Sequence, residues 1–201
     1  MKLFRTLHYI PRIDGHILDD GIGIWTILCN SIRWPLKIRT LKKLYCSHLE
    51  IWTPDENGHF EDETGYLGTC WTSTMRGEEN GAVCRLAREV LDHPDRWYVG
   101  QYETDDESYN DGIKWMQDKV DTNQGYGKFT ILTFFWIRRK TKEVNGVKQY
   151  ICSGFTDNAF DIMKCKSPYD IPSPIRWSLW AFLSRKKLGG IFFRLKDYKE
   201  L

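Results

Sequence analysis

The sequence predicts an α+β fold, on three observations. Strand-favouring stretches stand at 44–53 and 97–103, the helical segments are few, and strand and helix do not alternate in the βαβ rhythm that builds a parallel sheet. Residues 9–20 read as an irregular entry containing Pro11 and Gly15. A short buried helix is expected over about 21–34, with Asp19 or Asp20 as N-cap and Pro35 as the stop. Residues 44–53 then read as a strand, and Pro54-Asp55-Glu56-Asn57-Gly58 supplies a hairpin turn with a returning strand from about His59.

Residues 64–81 are rich in Gly, Thr and Ser, carry Cys70 and Trp71, and include the run Ser73-Thr74-Met75-Arg76-Gly77; they read as a functional loop. Cys84 to Leu91 reads as one or two helical turns ending at His93-Pro94, and Trp97 to Glu103 as a strand. The acidic cluster Asp105-Asp106-Glu107 opens a helix through Asp121, as the helix dipole favours, with Ile113, Met116 and Val120 at helical spacing. Gly125-Tyr126-Gly127 closes it, and the apolar segment Phe129 to Ile137 fits either a strand or a helix. Asn145-Gly146 marks a tight turn, after which Gln149 to Cys152 leads into a helix through about Cys165. Pro168, Pro172 and Pro174 break the chain before a basic, aromatic C-terminal segment. One domain over 1–201 is expected, with 168–201 as its last part or as an appendage.

Composition narrows the function. Lys and Arg together number 29 against 27 for Asp and Glu, so no overall basic field exists to hold a polyphosphate, and nucleic acid is not an expected partner. The longest apolar run, Ile22 to Cys29, is far shorter than the ~20 residues a membrane helix needs, and stable membrane insertion is not expected. The stretch Trp177 to Leu195, apolar near Arg185, Lys186 and Lys187, is expected to pack on the core rather than touch a lipid surface. The first twenty residues do not read as a signal peptide, so a cytoplasmic location at synthesis and reduced thiols are expected for the six cysteines. No C-x-x-C pair occurs, and no metal or other cofactor is expected.

Two residues offer chemistry. On a strand, Cys46, His48 and Glu50 share one face, with His48 and Glu50 roughly 6.6 Å apart at Cα. A neighbouring carboxylate orients an imidazole, fixes its tautomer and stabilises the imidazolium. Cys152 stands at the expected start of a helix, where the dipole lowers a thiol's pKa and backbone N–H groups face a developing oxyanion. A strand histidine and a helix-leading cysteine are the parts of a thiolate–imidazole dyad.

The stretch Tyr45-Cys46-Ser47-His48-Leu49-Glu50-Ile51 resembles the S-H-x-E-I strand of circularly permuted NlpC-like papain-fold cysteine peptidases and amidases, and Tyr150-Ile151-Cys152-Ser153-Gly154-Phe155 resembles their later Y-C-S-E-F helix start. Weaker matches follow the same order, at Asp20-Gly21, at Ser73 to Gly77 and at His93-Pro94-Asp95-Arg96-Trp97, so the resemblance covers about residues 19–165. It is strongest to the small forms carried by bacteria and their phages. The resemblance implies an antiparallel sheet packed against the cysteine helix, with Cys152 as nucleophile and His48 as base. It implies Glu50 as the third residue, with His59 as the competing candidate, and a bacterial cytoplasmic or virion-associated setting. Gly154 departs from the Glu or Gln of many relatives, which alters the neighbouring pocket.

The expected substrate is a peptide or acyl compound, first the amides of peptidoglycan-type peptides and second lipid esters or amides. Arg76, Ser73, Thr74, Trp71 and Tyr126 are the candidate substrate-binding residues, Arg76 because a guanidinium binds carboxylate or phosphate bidentately. The competing readings are an inactive papain-fold binding or structural protein and a metal module built on Cys46, His48, Glu50 and His59. The oligomeric state is not legible.

Overall fold

A computed structural model of the chain describes residues 1–9, 46–75, 79–127, 141–144, 147–165 and 192–197. Its elements are β1 (Lys2–Tyr9), β2 (His48–Thr53), β3 (Glu61–Asp62), β4 (Gly65–Tyr66), β5 (Thr69–Thr74), β6 (Gly81–Leu86), α1 (Ala87–Val90), β7 (Trp97–Thr104), α2 (Asp106–Asp121), β8 (Thr141–Val144), β9 (Val147–Tyr150), α3 (Cys152–Ile162) and β10 (Phe192–Arg194). Six strands form one sheet in the order β10-β7-β1-β2-β5-β6, and every neighbouring pair is antiparallel. The class is mixed α+β with an antiparallel sheet, as the strand-rich sequence predicts.

Alternation along the strands builds two cores, one on each face. On the first face Phe4, Leu49, Ile51, Trp71 and Ala82 pack with Met116 of α2 and with Phe155, Ala159 and Phe160 of α3. On the second, Leu7, Trp52, Cys70, Trp97 and Val99 pack with Phe60, Ala87, Leu91 and Leu195. The one-residue offset between Ile51 and Trp52 therefore separates what α3 covers from what the α1 side covers.

The α2 helix begins where the acidic cluster predicts. Asp105 is its N-cap, and the carboxylate accepts from the Ser108 N–H and from the Ser108 hydroxyl, each at 2.8 Å. Gly112 lets α2 approach α3 closely, since a Cβ there would lie 2.5 Å from Met163 Cγ. Trp115 of α2 then meets Phe155 at 5.1 Å and Tyr150 edge-on at 5.6 Å, which pins the first turn of α3.

Several expectations are corrected. The described part of 64–81 is not one loop: it contains β4 and β5 and the first residue of β6, because Thr69–Thr74 alternates between two buried faces. No strand starts at His59; Asp55 instead closes the turn by accepting from the His59 N–H at 2.7 Å, and among the described residues Glu61–Asp62 pairs with Gly65–Tyr66. Helix at Cys84–Leu91 shrinks to the four residues of α1, since β6 runs to Leu86. The strands β1 and β10 have no counterpart in the sequence reading, and β10 (Phe192–Arg194) pairs with β7. The expected helix at 21–34 and the segments 129–137 and 177–191 lie outside the described residues. Among the described residues no helix is long and apolar enough to cross a membrane.

Candidate active site

His48 is the first residue of β2 and Glu50 lies two residues on, so both project to the same face. His48 Nε2 is 3.1 Å from Glu50 Oε1. Both side chains are buried, Glu50 to 1% exposure, which removes the water that would otherwise screen the pair. Since a carboxylate only accepts, Nε2 donates, and the proton-accepting lone pair of the neutral ring is on Nδ1. The expected pairing of these two groups is present in the geometry as a His48–Glu50 contact. His59 is exposed in the turn beyond the far end of β2.

Arg85 of β6 completes the arrangement. Its Nη2 meets the same Glu50 oxygen at 2.5 Å, while its Nη1 lies 3.5 Å from Glu79 Oε2. Glu50 Oε2 is buried with no hydrogen-bond partner among the described residues. Thr72 Oγ1 stands 3.4 Å from His48 Nε2 and donates to the Leu49 carbonyl at 2.7 Å. Cys70, on the same face, has its thiol pushed well above the usual range by burial and then by Glu50, with Arg85 opposing. Arg85 and Thr72 are site residues that the sequence reading missed. Arg85 is hidden by the reading of 84–91 as helix and Thr72 by the reading of 64–81 as loop.

Cys152 is the first residue of α3, after the extended Ile151, and is 4% exposed. The first turn is buried through Asp157, so the positive end of the helix dipole acts on the thiol in a medium of low polarity. Strand β5 ties the two halves together. Its Ser73 Oγ donates to the Tyr150 carbonyl at 2.8 Å, two residues before Cys152, and its neighbour Thr72 is the residue beside His48. His48 at the start of β2 and Ser73 near the end of β5 stand at the same end of the sheet.

The faces differ, however. Leu49 and Ile51 point into the core that α3 covers, whereas His48 and Glu50 alternate with them and share the side of Trp52 and Cys70. The sequence reading sets thiol and imidazole directly against one another. In the fold they occupy the same rim of the sheet, and β2 turns the His48 ring toward the opposite face.

The candidate substrate residues separate in the same way. Trp71 is a core residue whose indole N–H donates to Thr53 Oγ1 at 3.0 Å, and Ser73 and Thr74 are buried within β5; all three are strand residues rather than members of an exposed loop. Tyr126 is buried and forms a parallel bridge with Tyr150, which places it beside the approach to Cys152. Arg76 lies outside the described residues. Cys46 donates its S–H to the His48 carbonyl at 2.9 Å, and among the described residues no group of three or more His, Cys, Asp or Glu side chains is arranged to hold a metal ion. No disulfide occurs among the described cysteines.

A second buried imidazole, His8 of β1, packs fully out of solvent with Nε2 2.8 Å from Thr6 Oγ1. Burial holds its pKa down at about 3, so it is neutral in the fold. Because the unfolded chain binds a proton at this position below about pH 6.5 and the folded chain does not, stability falls as pH drops, by about 1.4 kcal/mol per unit. Urea unfolding at pH 7 and pH 5 checks this: His8→Gln should lose that component of the slope, and an unchanged slope would contradict it.

Comparison with known proteins yields no match: no family model, curated protein or solved structure is similar to the chain.

Proposed function

We propose that the chain is a thiol hydrolase or acyltransferase of permuted papain-like organisation, in which Cys152 attacks a carbonyl, His48 moves the proton and Glu50 orients the imidazole. The observation that carries this reading is the buried His48–Glu50 contact at 3.1 Å, at the same sheet end as a cysteine that opens a buried helix. A carboxylate that orients the ring and stabilises the imidazolium supports His48 as the group that moves the thiol proton. The helix start favours the thiolate and offers backbone N–H groups to the oxyanion. For the dyad to form, the imidazole must reach the sulfur around the rim of β2, where His48 is the first strand residue.

In the reaction the sulfur bonds to the acyl carbon, the carbon–nitrogen or carbon–oxygen bond breaks, and His48 gives its proton to the leaving group. Water or a second acceptor then releases the acyl group from the thioester. Amides of peptidoglycan-type peptides come first among substrates, lipid esters or amides second, in a bacterial or phage setting. The alternation that turns His48 away from the α3 face favours a second reading, an inactive papain-fold descendant that binds rather than cleaves.

Intact-protein and peptide mass spectrometry after incubation with a panel of such peptides and activated acyl esters separates the two. The expected result is an acyl adduct on Cys152 that is absent in Cys152→Ala and forms at least ~100-fold more slowly in His48→Ala, as loss of a general base entails. A wild-type Cys152 that forms no adduct, or adducts that form equally in all three proteins, would leave the binding reading.

A further inference from the structure

We propose that Arg85 is a positioning residue of this site, holding Glu50 so that the carboxylate orients His48 without presenting an uncompensated negative charge. The inference rests on the reading of His48 and Glu50 as base and orienting group, and adds the residue that makes such a group workable at this depth.

Glu50 Oε1 receives both His48 Nε2 and Arg85 Nη2, so one oxygen is shared by imidazole and guanidinium. With 1% exposure, Glu50 has no solvent to stabilise its charge. Alone beside His48, it would either draw a proton permanently onto the ring or take one itself, and in both cases the imidazole would no longer cycle as a base. Arg85 opposes both outcomes, because its fixed positive charge stabilises the carboxylate and disfavours a second cation next to it. Glu79, 3.5 Å from Nη1, ties the outer edge of the guanidinium. Among the described residues, the other polar groups on this face include Thr72 and Cys70 from β5, Tyr9, which pairs with His48 and accepts from Arg96, and Arg5, which pairs with Trp52 and meets Glu61. Among the described residues, Arg85 is the arginine or lysine in ion-pair contact with Glu50. The combination behaves toward His48 as an amide would, an acceptor that fixes Nε2–H with little net charge.

The test follows the His48 ring nitrogens of the full chain by ¹⁵N NMR through a pH titration. The wild-type ring is expected in the Nε2–H form. Arg85→Met should raise the proton affinity of His48 at least ~10-fold, since the Glu50 charge beside the ring is left uncompensated, and Arg85→Lys should recover most of the wild-type value. In a Glu50→Gln background the same Arg85→Met change should move it less than ~3-fold, because Arg85 acts through Glu50.

If Arg85→Met does not fold, Arg85→Gln, which keeps a donor to Glu50 without the charge, carries the same expectation. A His48 titration unmoved by these variants, or moved as far with Gln at position 50, would overturn the proposal. Failure of the enzymatic reading is separate: it shows as an unreactive Cys152 in the wild-type protein, while the His48 titration still decides the role of Arg85.

Discussion

Replacing Arg85 with methionine should destabilise the fold by about 3 kcal/mol, while replacing Arg85 and neutralising Glu50 together should cost less than half of that. The asymmetry follows from burial. The Glu50 side chain is 1% exposed and the Arg85 side chain 27%, so loss of the arginine strands a carboxylate that cannot reach water. Breaking a buried ion pair from one side typically costs ~3–5 kcal/mol, because a charge is left without compensation; the partial exposure of Arg85 places this pair at the lower end. Glu50→Gln is milder, since the amide oxygen still accepts from His48 and Arg85 retains Glu79 at 3.5 Å. Urea unfolding of the two single variants and the double variant measures the coupling directly, provided the slope with denaturant is constant. Single-variant losses that simply add in the double would mean that Glu50 and Arg85 do not support one another.

The sequence reached some of this architecture and missed other parts for identifiable reasons. The α2 helix was legible because Asp105, the acidic first turn and the spacing of Ile113, Met116 and Val120 all favour the same element. The β2 strand and the start of α3 at Cys152 were legible for similar reasons, since β-favouring residues fill the first and the Asn145-Gly146 turn precedes the second. The β5–β6 pair was not. Thr, Ser and Gly in 64–81 look like loop residues, yet a central strand buried on both faces takes them when neighbours satisfy their hydroxyls, as Leu49 and Tyr150 carbonyls do for Thr72 and Ser73.

That one misreading concealed Arg85, because its contact with Glu50 needs β5 and β6 in register, with Cys70 opposite Arg85. The site shows the same limit of local reasoning. Alternation correctly put His48 and Glu50 on one face, but which face α3 covers is a property of long-range packing that no short stretch encodes.

The central claim is that His48 governs the ionisation of Cys152, and the most direct measurement is the ultraviolet thiolate absorbance of Cys152 as a function of pH, taken as the difference between the wild type and Cys152→Ser. An unassisted thiol, with a pKa of about 8.5, is only about 0.3% ionised near pH 6, whereas a thiolate paired with an imidazolium at a helix start is largely ionised there. The account therefore predicts a thiolate already present near pH 6 in the wild-type protein and a drop of ~100-fold or more in its population in His48→Ala. A wild-type thiolate that appears only above pH 8, at the same place in His48→Ala, would contradict it.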